Sequence, residues 1–135
     1  MSNSSDAAGL DALGLDASLT VADLDASLRW YRDALGFAVD REFRREDRLF
    51  AVSLRAGDAR ILINQDTGAK GADRVKGEGF SLRLTTTQDV DGIAARVKAH
   101  GAALESEPFD AFGMRAFRVR DPDGFLFTIS SPPAR

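Results

Sequence analysis

Two stretches of the chain show the same order of apolar and polar positions, an alternating strand pattern followed by a helical one. In the first stretch, "LTVADLDASLRWYRDALGF", Leu19 and Val21 alternate with polar residues before Asp23, and Gly36 closes the segment. Between them, three- and four-residue spacing predicts a helix whose apolar stripe is Leu24, Leu28, Tyr31 and Leu35. We expect Asp23 to cap the start of this helix and Gly36 to end it.

The second stretch, "FSLRLTTTQDVDGIAARVKAHGA", repeats this order. Phe80, Leu82 and Leu84 alternate, Asp89 is the expected cap, and the helical stripe that follows is Val90, Ile93, Ala94 and Val97. A shift of 65 residues superimposes Gly36 on Gly101 and Asp58 on Asp123. An internal repeat constrains the fold more than any single element does.

Three short strands are predicted after each helix, at about 37–44, 48–56 and 59–64 in the first copy and at 102–108, 114–120 and 124–130 in the second. The chain is therefore predicted to have an α+β fold of two βαβββ modules, at about 15–64 and 79–131. A Gly- and Lys-rich linker of about 65–78 joins them and is expected to be exposed. Residues 1–14 are predicted to be a flexible leader, although "GLDALGLDAS" is also compatible with a short helical turn or a docked element.

This duplicated unit resembles the vicinal oxygen chelate superfamily, the group of glyoxalase I, the bleomycin-resistance proteins, the fosfomycin-resistance transferases and the extradiol dioxygenases. The resemblance spans residues 15–131, and its motifs are "LTVADLDASLRWYRDALGF" and "FGMRAFRVRDPDGFLF". It implies that the two sheets curl into an open cup that holds the ligand, with the helices packed on the outside.

Strand alternation then assigns side chains to the helix side or to the cup. The regular apolar positions are expected under the helices: Leu19, Val21, Val52, Leu54, Leu82, Leu84, Phe117, Val119, Phe125, Phe127 and Ile129. The alternate positions face the cup and supply the predicted ligand-binding residues, which are Asp16, Ser18, Ser53, Ile63, Arg83, Met114, Arg118 and Thr128. Ile61 and Leu126 are expected to add apolar wall to the same cup.

The metal ligands of the superfamily are not expected in this chain. The resemblance places the four ligand positions at Asp16, Ile63, Gly79 or a neighbour, and Thr128. A divalent metal needs three or four converging N, O⁻ or S⁻ donors, and this set offers one carboxylate and one hydroxyl. The chain also has no cysteine and a single histidine, His100, which is expected at the end of the second helix. No metal and no cofactor are therefore predicted.

The composition and charge of the chain indicate the class of protein and its expected location. The chain has 44% hydrophobic and 29% charged residues and a net charge of −3, which is typical of a globular protein and argues against a nucleic-acid surface. No apolar run approaches the roughly 18 residues of a membrane helix, and no signal peptide is recognisable. We expect a cytoplasmic homodimer that contacts neither nucleic acid nor membrane.

Three functional hypotheses follow. The first is a metal-free small-molecule binding protein, similar to the bleomycin-resistance branch. The second is a lyase, isomerase or dioxygenase of the same superfamily, with an atypical metal or with metal-free acid–base catalysis by Asp16. The third is an assembly module whose cup is plugged by side chains such as Met114.

The two arginines of the predicted cup have two possible roles. Arg83 and Arg118 need partners on an apolar face, because an unpaired buried charge is costly. Asp16, Glu105 and Glu107 are the candidate partners within the chain. An anionic ligand is the alternative, and the sequence leaves both open.

Overall fold

The computed structural model describes residues 9–69, 71 and 75–133 of the 135-residue chain. Each of its two modules contains a strand, a helix and three further strands. The first module consists of β1 (Ala17–Val21), α1 (Leu24–Asp33), β2 (Ala38–Arg45), β3 (Arg48–Ala56) and β4 (Ala59–Gln65). The second consists of β5 (Leu82–Thr85), α2 (Val90–Ala99), β6 (Leu104–Ala111), β7 (Met114–Arg120) and β8 (Leu126–Ser130). The predicted α+β fold of two βαβββ modules is confirmed.

Each module forms its own four-stranded mixed sheet, with strand orders β1-β4-β3-β2 and β5-β8-β7-β6. The first strand of each module runs parallel to the last, and the other neighbours are antiparallel. The helix between the first two strands covers one face of its own sheet, and a single hydrophobic core cluster includes residues of both modules. We call the opposite face of each sheet its open face.

The helix boundaries follow local chemistry. Asp23 caps α1 as predicted, because its side chain accepts a hydrogen bond from the N–H of Ala26 at 3.1 Å. Asp89 occupies the same position before α2, but its side chain makes no capping hydrogen bond. His100 is the C-cap of α2, and its Nδ1 lies 3.0 Å from the carbonyl oxygen of Arg96. Both helices have ten residues, and within the described part of the chain no helix is long and apolar enough to cross a membrane.

One predicted face assignment is wrong. Ile61 and Ile63 were expected in the cup, but they lie in register with Leu54 and Val52 on the helix side of the first sheet. Ile63 is 0% exposed there. The open-face residue of β4 in register with Ser53 is Leu62.

The length of one turn explains this error. Four residues separate the paired Arg55 and Arg60 in the first module, whereas five separate Arg120 and Leu126 in the second. The shift of 65 residues that relates the two copies therefore becomes 66 in the last strand. Since side chains alternate faces along a strand, an error of one residue exchanges the two faces.

A buried hydrogen bond connects the two modules. The hydroxyl of Tyr31 on α1 donates to Oδ2 of Asp121 at 2.6 Å, and both side chains are buried. The other carboxylate oxygen of Asp121 accepts from the N–H groups of Asp123 and Phe125, at 2.9 and 2.8 Å. Burial raises the pKa of Asp121, and burial together with this carboxylate raises the pKa of Tyr31.

A second cluster on the same turn holds the linker. Nζ of Lys76 lies 3.0 Å from Oδ2 of Asp66 and 3.4 Å from Oδ1 of Asp123, and the Lys76 side chain is only 9% exposed. Asp123 also accepts from the N–H of Ala22 at the end of β1, at 2.8 Å. The expectation of an exposed linker is therefore wrong at Lys76, because the carboxylate of Asp66 at the start of the linker and that of Asp123, 47 residues after Lys76 in the chain, converge on its ammonium group.

We predict that Asp121→Asn changes the pH dependence of stability, because Asn keeps the side-chain shape and cannot ionise. The raised pKa of Asp121 means that the folded state binds this proton more readily than the unfolded state, whose pKa is about 3.9. The unfolding free energy of wild type minus that of the variant is then largest below about pH 4 and falls as the pH rises through the folded-state pKa. Urea unfolding of both proteins from about pH 4 to pH 8 measures this difference. A difference that grows with pH would contradict the prediction.

We also predict that Lys76→Ala lowers the free energy of unfolding by about 3 kcal/mol, because it removes the ammonium group between two carboxylates whose side chains are only 12% and 7% exposed. Lys98→Ala is the matched control, since Lys98 pairs with Glu107 and the two side chains are 50% and 66% exposed. That control should cost about 1 kcal/mol or less. Urea denaturation at neutral pH compares the two variants, and equal losses would show that the Lys76 cluster contributes no more than a surface pair.

Candidate functional site

Two arginines flank a threonine on the open face of the second sheet. Arg83 of β5 and Arg118 of β7 are both in register with Thr128 of β8, which lies between them. Neighbouring strands are about 4.8 Å apart, so the two arginine Cα atoms are separated by roughly 10 Å. Both arginines are exposed and Thr128 is half-buried. We call these three residues the arginine row.

Among the described residues, the guanidinium groups of the arginine row have only neutral partners. Nε of Arg83 donates to the hydroxyl of the buried Ser130 at 3.1 Å, and Nη2 of Arg83 lies 2.6 Å from the sulfur of Met114. The guanidinium of Arg118 lies 5.8 Å from the ring centroid of Phe109. Neither arginine forms an ion pair with a carboxylate of the described residues.

The carboxylates named as candidate partners are placed elsewhere. Glu105 pairs with Arg120 at 3.1 Å, and Glu107 pairs with Lys98 at 3.0 Å. Asp16 lies exposed just before β1, in the other module. The ion pairs within the chain that were considered for the arginine row are therefore not formed, and its two charges face solvent.

The open face of the first sheet is neutral at the equivalent row. Ser18, Leu62 and Ser53 are in register across β1, β4 and β3. Nδ2 of Asn64 donates to the hydroxyl of Ser18 at 2.9 Å. The sequence did not single out Leu62 and Asn64, because the register of β4 was misassigned.

The structure thus divides the predicted site residues into three groups. The second sheet brings four of them together on its open face: Arg83, Met114, Arg118 and Thr128. The first sheet places Ser18 and Ser53 on its own open face, with Asp16 two residues before Ser18. Ile63 belongs to the core and is removed from the candidate site.

The donors present do not fit a divalent metal site. Leu62 replaces Ile63 at the open-face position of β4 and offers no donor either. Gly79 lies in the linker, three residues before β5. Asp16 and Thr128 remain, on different modules. No group of three or more His, Cys, Asp or Glu side chains in the described ranges is arranged to hold a metal ion. Three or four converging donors are needed, so the expected ligand set is not assembled.

A hollow of about 530 Å³ lies beside the arginine row. Its walls are Val75, Lys76, Gly77, Glu78, Gly79 and Phe80 of the linker, which in the structure continues up to β5, together with Ser81, Arg120 and Leu126. No sequence pattern predicted this hollow, because the linker was expected to be exposed and Phe80 was expected in the alternating strand with Leu82 and Leu84. Phe80 is instead 51% exposed, and its ring centroid lies 6.3 Å from that of Phe125.

Comparison with protein families gives one match over most of the chain. The model described as Glyoxalase/Bleomycin resistance protein/Dioxygenase superfamily matches residues 11–129. The comparison with curated proteins gives no match.

Solved structures share the fold at low sequence identity. The hypothetical protein SA1046 from S. aureus is 22% identical, with a TM-score of 0.72, and the alignment covers 90% of this chain and 95% of that one. A glyoxalase/bleomycin resistance protein/dioxygenase from Nocardioides is 17% identical, with a TM-score of 0.70 and coverages of 96% and 89%. TnmS3, an antibiotic binding protein from Streptomyces sp. CB03234, is 21% identical, with a TM-score of 0.69 and coverages of 87% and 93%. These similarities concern the fold.

Proposed function

Because the chain belongs to the glyoxalase/bleomycin resistance protein/dioxygenase superfamily, we propose that it binds a small organic ligand on its open sheet faces without a metal. The observation that carries this proposal is the arginine row, where Arg83 and Arg118 are exposed and contact only neutral groups in the part of the chain that the structure describes. The description of the structural relative TnmS3 as an antibiotic binding protein supports a binding function on this fold.

The ligand is proposed to carry an anionic or carbonyl-type acceptor group. The planar guanidinium of arginine matches the two oxygens of a carboxylate, and such charge-assisted hydrogen bonds are stronger than neutral ones. The present acceptor of Arg83 Nη2 is the thioether of Met114, a weak acceptor that an anionic ligand displaces at little cost. The hydroxyl of Thr128 lies between the arginines and can donate to the same group.

The first module is proposed to contribute neutral and acidic polar contacts. Ser18 and Ser53 present hydroxyl groups on its open face, and Asp16 lies two residues before Ser18. These groups suit the hydroxyl or amine substituents of a ligand. The alternative of an enzyme with acid–base catalysis by Asp16 has less support, because this carboxylate is exposed and lies on the other module from the arginine row.

We predict that Arg83→Ala and Arg118→Ala each weaken the binding of an aromatic carboxylate by about 1.5–3 kcal/mol, the scale of a hydrogen bond to a charged group. Calorimetry with benzoate, benzyl alcohol and benzylamine, on protein dialysed against EDTA, tests charge preference and metal independence together. Arg48→Ala is the matched control, because Arg48 is an exposed arginine on the other sheet.

Two results would contradict the proposed binding function. One is preferential binding of benzylamine with no loss in the two arginine variants. The other is carboxylate binding that disappears after EDTA dialysis and returns with Zn²⁺ or Mn²⁺.

We further propose that the protein is a homodimer. β1 and β2 are the outer strands of the first sheet, and β5 and β6 are those of the second. Exposed strand edges are usually covered, and two-fold pairing is the commonest way for a small protein to cover them. We expect sedimentation at about 10 µM to give twice the chain mass of 14.6 kDa. A single species of 14.6 kDa at that concentration would overturn the proposed dimer.

A further inference from the structure

We infer that the hollow beside the arginine row receives the apolar body of the ligand, so that the protein selects amphipathic anions with an extended, flat aromatic part. This inference rests on the proposed function, in which Arg83 and Arg118 bind the acidic end. It adds a second subsite, built largely from the linker, and it predicts the length and shape of the ligand.

The hollow and the arginine row share one continuous surface. Ser81 precedes Arg83 by two residues, and Leu126 precedes Thr128 by two residues. Arg120 follows Arg118 by two residues and is in register with Leu126. Residues two apart on a strand point to the same face, about 6.6 Å from each other. The floor of the hollow is therefore the row next to the arginine row on the same open face.

The hollow offers apolar surface that a ligand can cover. Val75 is 74% exposed and Phe80 is 51% exposed on the linker wall, and the half-buried Leu126 forms part of the floor. Removing such surface from water stabilises a bound apolar group. A flat ring suits this space, because an aromatic partner can stack on the exposed side of Phe80.

The charges near the hollow orient the ligand. Arg120 is the arginine on its floor, and it already donates to Glu105 at 3.1 Å and to the carbonyl oxygen of Gly124 at 2.8 Å. The ammonium of Lys76 is held by Asp66 and Asp123, and Glu78 adds a negative charge to the wall. An acidic group is therefore favoured at the arginine row, and the apolar end of the ligand lies in the hollow.

Contacts within the protein hold the middle of the linker wall, at Lys76 and Gly77. Lys76 is held by its two carboxylates, and Gly77 follows with a φ of +75°. A Cβ atom at Gly77 would lie 2.9 Å from Cδ1 and 3.1 Å from Cα of Phe125, so the linker crosses the β7–β8 turn in close contact. A preformed wall reduces the conformational entropy that is lost when the ligand binds.

The spacing sets a minimum length for the ligand. The guanidinium of Arg83 reaches Ser130 and Met114, on the side of the arginine row away from the hollow. From the level of Ser130 to that of Leu126 is four residues, or roughly 13 Å along β8. A single ring such as benzoate is too short to occupy both subsites, whereas biphenyl-4-carboxylate has the required shape.

The test compares three probes on the full chain by calorimetry: biphenyl-4-carboxylate, benzoate and 4-phenylbenzylamine. We expect biphenyl-4-carboxylate to bind at least tenfold more tightly than benzoate, from burial of the second ring, and more tightly than the amine of the same shape. Phe80→Ala should weaken the binding of biphenyl-4-carboxylate about fivefold and leave the binding of benzoate unchanged. Val75→Ser should act in the same direction and disturbs no packing, because Val75 is 74% exposed.

Phe112→Ala is the matched control, since Phe112 is 93% exposed and lies outside the hollow, in the turn between β6 and β7. It should leave the binding of all three probes unchanged. The hollow is excluded as a subsite if biphenyl-4-carboxylate and benzoate bind equally well and neither Phe80→Ala nor Val75→Ser weakens their binding, while the arginine variants still weaken it. If the arginine variants bind both carboxylate probes as tightly as wild type does, the proposed function is overturned instead. No binding of biphenyl-4-carboxylate up to about 1 mM also overturns the inference, and the benzoate data then decide the proposed function separately.

Discussion

The hydrogen bond from the hydroxyl of Tyr31 to the buried carboxylate of Asp121 joins a helix of the first module to a turn of the second. The other carboxylate oxygen of Asp121 accepts hydrogen bonds from two N–H groups of that turn. The Asp121 side chain therefore stabilises its own turn and also links the two modules. Asp123 in the same turn binds the end of β1 and the linker residue Lys76. The position of the linker, and with it the wall of the hollow, depends on this anchored turn.

The arginine row lacks the ion pairs that several other surface arginines form among the described residues. Asp40 lies beside Arg55 and Arg60, and Asp91 lies beside Arg115. Such exposed pairs contribute little to stability, but they neutralise the surface locally. Arg83 and Arg118 have no such pairing among the described residues, and their positive charge remains available to a ligand.

The two modules share a backbone plan and differ in the chemistry of their open faces. The equivalent row on the open face consists of Ser18, Leu62 and Ser53 in the first sheet and of Arg83, Thr128 and Arg118 in the second. The helix-facing positions are apolar in both copies, because both must pack under a helix. Solvent-facing positions carry no such constraint, which allows one duplicated scaffold to present a neutral row on one sheet and a cationic row on the other.

The sequence by itself determined the repeat, the order of strands and helices, the cap at Asp23, the burial of Tyr31 and the common face of Arg83, Arg118 and Thr128, because these depend on local spacing and strand alternation. It did not determine the face of Ile63, since the turn between β7 and β8 is one residue longer than the turn between β3 and β4, and this changes the register between the copies. Tertiary structure alone decided the burial of Lys76 and the hollow beside the arginine row. Both arise where Asp123 and Phe125 meet the linker, and contacts between residues so distant in sequence leave no local pattern.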